Sequence, residues 1–156
     1  MTLYVETSAV LRWLFREEGG EGVRARLAAA SKVTTSRLTL LETRRVVRRA
    51  ECEGRITAAQ SADLLAVVAQ AASTWAVLEV SEEVARRAED GFPNEPVRTL
   101  DAIHLASALF LRQSFPDLEI VSADERIVAN AALLGFAVAS TEQRGSLKCR
   151  LDASRK

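Results

Sequence analysis

The segment TLYVETSAV, residues 2–10, is a short apolar run that ends on a carboxylate and continues at once with two hydroxyl residues. TLYVE has the composition of a buried strand, and the residues after it have the spacing of a helix. An acid at that junction can be an edge residue or a helix N-cap. Because Glu is a poor N-cap and Thr7 or Ser8 would cap the helix better, we interpret Glu6 as a functional carboxylate.

Strands and helices are predicted to alternate along the rest of the chain. The patterns predict strands at 2–6, 32–36, 76–80, within 118–124 and at 136–140, and helices at 8–17, 21–30, 37–53, 57–75, 81–90, 100–112 and 125–134. This alternation predicts an α/β domain with a mostly parallel sheet and helices on both faces. Ligands of such sheets bind beyond the carboxyl ends of the strands, where the strand order reverses. Two predicted strands lead to acids at that edge, namely Glu6 and Asp124.

The composition is that of one globular domain. The 156 residues are 48% hydrophobic and 27% charged with a formal net charge of zero, which excludes a protein held to nucleic acid by bulk charge. A single histidine and two distant cysteines, Cys52 and Cys149, argue against a zinc site or a disulfide framework, and we expect a reduced, cytoplasmic location. No signal peptide, membrane span or membrane contact is predicted. We expect residues 1–140 to form the domain and the polar residues 141–156 a mobile tail.

Two further acids lie on predicted helices. Asp101 stands in the first turn of an almost wholly apolar helix, where it can complement the helix dipole or, if buried, require a partner. His104 is one candidate partner, but we interpret it as a satisfied core residue, the commoner role of a lone histidine on a buried helix. Glu42 shares a helical face with apolar residues, although a capping box from Thr39 or an ion pair with Arg45 would also explain it.

The acids become more informative together than singly. Asp124 alone is equally explained by a capping box between Ser122 and Glu125, or by the helix dipole. Several carboxylates in one dry pocket, however, raise one another's pKa unless a cation neutralises them. Because the available donors are oxygens, the fitting cation is Mg²⁺ or Mn²⁺, which can deliver an activated water to a phosphodiester. The acids therefore predict a nuclease at the head of a parallel sheet.

Four blocks of the sequence resemble the PIN-domain family, in particular the VapC-type toxins of bacterial toxin–antitoxin pairs. YVETSAVLRWL resembles the family's opening strand and acid, LTLLETRRVVRR its conserved-Glu helix, LDAIHLASAL its third-acid helix, and IVSADERIVANAALLGF its fourth-acid strand and helix. The blocks occur in the family's order and cover nearly the whole chain. The resemblance implies a three-layer α/β/α PIN-like fold and an Mg²⁺- or Mn²⁺-dependent endoribonuclease.

The resemblance also implies roles for individual residues. It implies four metal-binding and catalytic acids, which are Glu6, Glu42, Asp101 and Asp124. It implies three hydroxyl residues that shape the site, which are Thr7, Ser8 and Ser122. The family usually has Asp where this chain has Glu6, and the longer side chain moves the carboxylate by about 1.5 Å. We expect the site to survive, because Glu keeps the charge and the oxygen donors that Mg²⁺ or Mn²⁺ requires.

Partners are predicted from basic and apolar stretches. Arg45 and Arg49 are candidate RNA phosphate contacts, although a solvated helix face with ion pairs to neighbouring acids is the simpler interpretation. Arg98, three residues before the acid of its helix, is a third candidate. The resemblance further implies a homodimer and a VapB-like antitoxin, for which the apolar stretches at 8–15 and 63–75 would supply contact area.

Two other functions fit parts of the sequence. An acid-nucleophile, phosphatase-like α/β domain would have a second Asp two residues after the first acid, where this chain has Ser8. A binding module on the same PIN fold, catalytically weak or silent because of Glu6, belongs to a different class. Metal-dependent cleavage of RNA distinguishes the nuclease from both.

Overall fold

The computed structural model describes residues 1–139, and the predicted tail at 141–156 lies outside them. Within the described residues one five-stranded sheet consists of β1 (Thr2–Val5), β2 (Lys32–Ser36), β3 (Ala76–Leu78), β4 (Leu118–Val121) and β5 (Ala137–Ala139). The strand order is β3-β2-β1-β4-β5, and every neighbouring pair is parallel. The order reverses between β1 and β4, which is the kind of switch point where such sheets bind ligands.

The connections between the strands are helical, as predicted. In residues 1–139 the helices are α1 (Thr7–Leu14), α2 (Gly20–Ala29), α3 (Arg37–Cys52), α4 (Ala58–Ala72), α5 (Glu82–Glu89), α6 (Thr99–Arg112) and α7 (Glu125–Leu133). Each predicted helix and strand is present, with ends that differ by up to three residues. None of these helices is long and apolar enough to cross a membrane.

The sheet is covered on both faces because side chains alternate along each strand. Tyr4 belongs to a cluster that includes Leu105 of α6 and Ile127 of α7. Its neighbours Leu3 and Val5 belong to a second cluster, with residues of α1, α2 and α4. All three β1 side chains are at most 1% exposed, so this strand lies between two cores. The predicted three-layer α/β/α fold is confirmed.

The two apolar stretches proposed as contact surfaces mainly fill the core. Trp13 and Phe15 pack against the cluster on the Leu3 side of the sheet, as do Leu64 and Trp75. In these two stretches, Val67 is the large hydrophobic residue that stays strongly exposed, at 43%. The stretches therefore explain the packing of α1 and α4 more than they indicate a partner.

Helix starts confirm one predicted cap and correct two others. The capping box that begins at Thr57 is present. Glu6 itself is the N-cap of α1, so the expectation that a hydroxyl residue would cap this helix is wrong. The capping box at Thr39, one alternative explanation of Glu42, is also wrong, because α3 already begins after Ser36, whose hydroxyl caps it. The end of β2 thus supplies the cap and leaves Thr39 in the helix interior.

The end of α1 and the start of α2 approach each other closely at Gly20. A β-carbon on Gly20 would lie 2.4 Å from the carbonyl oxygen of Arg12 and 3.2 Å from the Cα of Trp13. Those separations are shorter than ordinary van der Waals contact. Glycine therefore permits the tight turn from α1 into α2.

Candidate functional site

The predicted site residues come from the carboxyl edge of the sheet and from two helices beside it. Glu6 directly follows β1, and its backbone N–H donates to the carbonyl of Val121 at 3.0 Å, which extends the pairing of β1 with β4. Ser122 directly follows β4. Glu42 lies in the second turn of α3, which begins at the end of β2, and Asp101 lies in the first turn of α6. Parallel strands therefore deliver these residues to one end of the sheet.

One oxygen of the Glu6 carboxylate takes the hydrogen bonds. Glu6 is 4% exposed, and its Oε2 accepts from the Ser8 N–H at 3.0 Å, from the Ser8 hydroxyl, and from the Ser122 hydroxyl at 2.8 Å. Its Oε1 accepts no hydrogen bond from residues 1–139 and lies 3.7 Å from Nε2 of His104. The serine hydroxyls hold one oxygen and leave the other available on the side of His104.

Glu42 points inward as predicted, but through other partners. Its Oε2 accepts from the Thr7 hydroxyl at 2.5 Å and lies 2.8 Å from Nε2 of His104. No ion pair joins it to Arg45, so that explanation is wrong, because the side chain faces α6 and not the exterior of α3. Burial alone would raise the pKa of Glu42. The hydrogen bonds from His104 and Thr7 lower the pKa by more than burial raises it, so the pKa lies below its ordinary value. Glu42 is therefore a carboxylate at neutral pH.

His104 is a satisfied buried residue, as predicted, but its partners belong to the site. The side chain is 2% exposed, with Nδ1 3.0 Å from the Tyr4 hydroxyl and Nε2 2.8 Å from Oε2 of Glu42. The same Nε2 lies 3.2 Å from the hydroxyl of Thr7. Burial and the charge of Glu6 raise the pKa of Tyr4 well above its ordinary value, so its hydroxyl keeps the proton.

Asp101 and Asp124 are joined by two arginines. Arg98 donates from Nε to Asp101 at 2.9 Å and from Nη2 to Asp124 at 3.2 Å, while Arg126 donates to Asp124 at 2.8 Å and lies 3.6 Å from Asp101. Burial alone would raise the pKa of Asp124, but the Arg126 hydrogen bonds lower it below its ordinary value. Asp124 is also the N-cap of α7. The capping box from Ser122, one alternative explanation of Asp124, is therefore wrong, and the Ser122 hydroxyl accepts from the Asp124 N–H at 3.0 Å.

The acids thus fall into two groups. The possible ligand atoms of Glu6, Glu42 and His104 all lie within 4.8 Å of one another, and Asp101 and Asp124 are not members of that group. The serine that follows β4 connects the groups, since it donates to Glu6 and accepts from the backbone of Asp124. The first group offers two carboxylates beside one imidazole. The second group is already neutralised by guanidinium side chains.

Two members of the site were not predicted from the sequence. His104 follows Asp101 at the i, i+3 spacing that places both on one helix face, and this was the available signal that it points toward the site. Arg126 stands in the first turn of α7 and reaches back to the N-cap residue Asp124, through its backbone N–H at 2.9 Å and its side chain at 2.8 Å. Its sequence position resembles that of any solvated arginine, so no comparable signal existed.

The predicted RNA-contacting arginines lie at the surface. Arg45 and Arg49 are exposed on α3, and their neighbour Arg48 forms an ion pair with Glu51 at 3.4 Å. The Arg98 side chain is 60% exposed, although it pairs with the acids. Positive charge is therefore accessible both beside the acids and along α3.

Comparisons with known proteins agree with this architecture. Ribonuclease VapC35 from Mycobacterium tuberculosis is 29% identical over 143 residues, which are 90% of this chain and 98% of that protein. A toxin–antitoxin complex from Klebsiella pneumoniae contains a chain with a TM-score of 0.60 at 18% identity, covering 92% of this chain and 99% of that chain. VapC20 from M. tuberculosis, described as a Sarcin-Ricin loop cleaving toxin, has a TM-score of 0.62 at 16% identity, with coverages of 86% and 96%.

A family model supports the same assignment along most of the sequence. The model of the PIN domain matches residues 3–133, from β1 to the end of α7. The matched region contains the carboxylates, hydroxyls and arginines of both groups. This chain therefore belongs to the PIN-domain family.

Proposed function

We propose that this chain is a divalent-metal-dependent endoribonuclease and the toxin of a type II toxin–antitoxin pair. The observation that carries the proposal is the convergence of Glu6 and Glu42 at the carboxyl edge of a parallel sheet, with possible ligand atoms within 4.8 Å. Membership of the PIN-domain family and the similarity to a protein named ribonuclease VapC35 support RNA as the substrate.

The donor set fits a hard divalent cation. Oε1 of Glu6 accepts no hydrogen bond from the described residues, and a second carboxylate, Glu42, stands beside it. Oxygen donors of this kind suit Mg²⁺ or Mn²⁺. Glu6, Asp101 and Asp124 would hold the ion directly or through water, and Glu42 would hold it through water. A bound ion would lower the pKa of a water molecule and stabilise charge on the leaving oxygen.

The protein's own groups orient the acids and handle the proton. Ser8 and Ser122 hold Oε2 of Glu6, which fixes the direction of Oε1. Thr7 donates to Glu42 and leaves its other oxygen, Oε1, without a hydrogen bond from the described residues. Because the pKa of Glu42 lies below its ordinary value, this side chain is ionised and can accept a hydrogen bond from the attacking water.

Arginines would bind the RNA backbone. Arg98 stands beside both Asp101 and Asp124 with 60% of its side chain exposed, so its guanidinium can contact a phosphate while Nε stays on Asp101. Arg45 and Arg49 on α3 would extend the contact to neighbouring phosphates. Because the net charge of the whole chain is zero, long-range attraction to RNA cannot come from its total charge. The affinity for RNA would therefore come from this local basic surface.

We propose a VapB-like antitoxin and a second copy of this chain as protein partners, in the cytoplasm. The fold similarity to a chain of a solved toxin–antitoxin complex supports the antitoxin. Leu41, 57% exposed, precedes Glu42, and Leu100, 46% exposed, precedes Asp101. These apolar side chains give an antitoxin segment something to cover when it lies over the acids.

A metal-dependence assay with matched variants tests the nuclease. Purified protein is incubated with mixed cellular RNAs in Mg²⁺, in Mn²⁺ and in EDTA. We expect cleavage with either ion, no cleavage in EDTA, and loss of cleavage in Asp101→Asn. Asp63→Asn makes the same substitution at an exposed position of α4 and should cleave normally. Cleavage that persists in EDTA or in Asp101→Asn would contradict the assigned role of the acids.

A catalytically silent binding module is the second candidate. It is favoured by the two arginines that already neutralise Asp101 and Asp124, and by Glu6 in place of the family's usual Asp. This candidate predicts that an antitoxin co-purifies with the chain and that no RNA is cut in any metal. The acid-nucleophile alternative lacks such support, because the residue two positions after Glu6 is Ser8, which hydrogen-bonds to Glu6 itself.

A further inference from the structure

A chain of hydrogen bonds leads from the core to the site through His104. The hydroxyl of Tyr4, a residue 1% exposed in the middle of β1, lies 3.0 Å from Nδ1 of His104. Nε2 of the same ring lies 2.8 Å from Oε2 of Glu42. The two rings meet edge to face, with centroids 6.4 Å apart and planes inclined by 68°. Both nitrogens of this one buried ring are therefore engaged.

The partners of the ring determine where its proton lies. A carboxylate has only acceptors, so the nitrogen that faces Glu42 at 2.8 Å must carry the hydrogen. The other nitrogen faces a Tyr4 hydroxyl that has a proton to donate. One arrangement satisfies both contacts with a neutral ring, in which Tyr4 donates to Nδ1 and Nε2–H donates to Glu42. The reverse tautomer would place two lone pairs against each other.

We propose that His104 is a positioning residue for Glu42, and that Tyr4 fixes its ring in the Nε2–H tautomer. The proposal rests on the proposed metal-dependent nuclease, because it concerns how one of the acids is held. Nε2–H and the Thr7 hydroxyl both donate to Oε2 of Glu42, so its Oε1 is the oxygen left for the cation or its waters. His104 therefore supports a ligand without being one, in the manner of outer-shell partners of metal sites.

Two alternatives make different predictions. A histidine that fills the core and nothing more would matter for stability but not for metal affinity. A histidine that binds the ion through Nε2 would have to lose the proton that the contact with Glu42 requires. The state of Nε2 in the presence of a metal therefore separates positioning from ligation.

Matched amide variants test the donor at Nε2. A Gln side chain carries its amide nitrogen near the position of Nε2, whereas that of Asn reaches only to the region of Nδ1. We expect His104→Asn to bind Mn²⁺ about 10- to 100-fold more weakly, and His104→Gln to stay within about threefold of the unchanged protein. Equal losses in the two variants, or no loss in either, would contradict the proposal. Urea unfolding of both variants shows that folded protein is compared.

The ring itself is observed by nitrogen NMR on untagged protein, where His104 is the only histidine. We expect an Nε2–H ring without metal and an unchanged Nε2–H ring after Mg²⁺ is added. Tyr4→Phe should keep the fold and the Nε2–H ring but shift the Nδ1 resonance, because Nδ1 loses the hydrogen bond from the Tyr4 hydroxyl. A ring protonated at Nδ1 in the unchanged protein, or loss of the Nε2 proton on adding Mg²⁺, would overturn the proposal. The NMR and metal-binding measurements contain no RNA. If the wild-type protein shows the expected ring and metal affinity but cuts no RNA, the proposed nuclease is refuted and the positioning role of His104 is not.

Discussion

Replacing Ser122 by Ala should measure how strongly one hydroxyl holds the site together. Ser122 is 3% exposed, donates to Oε2 of Glu6 at 2.8 Å and accepts from the backbone N–H of Asp124 at 3.0 Å. A hydrogen bond to a carboxylate contributes roughly 1.5–3 kcal/mol, and the buried Glu6 would lose one of its donors. We therefore expect the free energy of unfolding of Ser122→Ala to fall by about 1.5–3 kcal/mol.

A second buried serine gives the matched control. Ser61 of α4 is 1% exposed, and its hydroxyl has no hydrogen-bond partner within the described residues. Removing an unsatisfied buried hydroxyl should leave stability unchanged or raise it slightly. Urea unfolding of the two variants, without metal, measures the difference. A loss in Ser61→Ala equal to that in Ser122→Ala would refute the reasoning, because the effect would then follow burial and not the hydrogen bonds.

Three further predictions concern the charge of the site, a close backbone contact and acid. Glu6→Gln should bind Mn²⁺ at least about 100-fold more weakly by calorimetry, because a unit charge about 4 Å from a cation contributes several kcal/mol; unchanged affinity would argue against Glu6 as a ligand. Gly20→Ala should lower the free energy of unfolding by about 1–3 kcal/mol, because the added β-carbon would lie 2.4 Å from a carbonyl oxygen. A β-carbon at Gly91 would have no atom within 4 Å, so Gly91→Ala is the control and should change little in the same urea titration. Since the pKa of Asp124 is lower in the folded chain, its contribution to stability is complete above the unfolded value of about 3.9 and is lost as pH falls through the folded value. Asp124→Asn should therefore flatten the decline of stability below about pH 4, and an unchanged decline would show that other groups cause it.

The fold was predictable because local patterns and the parallel topology agree along the chain. Four of the five described strands are mainly apolar, and the helices between them carry periodic apolar residues. Thr57 begins α4 with a capping box that forms as predicted. The caps that failed did so for a local reason. Glu6 and Ser36 cap their helices because Glu6 directly follows β1 and Ser36 ends β2, and a single-helix pattern does not contain that information.

The site was predictable as a set of acids but not as a network. Strand ends and first-turn positions pointed to Glu6 and Asp124, because parallel strands share one carboxyl edge. The contact between Glu42 and His104 joins residues 62 positions apart, on helices whose relative placement depends on the packing of both clusters. The guanidinium of Arg126 returns to Asp124 through a rotamer choice that residue spacing does not determine.

The arginines beside Asp101 and Asp124 determine how much positive charge the site still needs. Two of the four carboxylates, Asp101 and Asp124, pair with the guanidinium groups of Arg98 and Arg126, which leaves the two negative charges of Glu6 and Glu42. In the proposed site a single divalent ion would balance these two charges, and a second one would leave the cleft cationic. We therefore expect the proposed site to bind one ion at a time, with the guanidinium pair in the electrostatic role that a second metal would otherwise have.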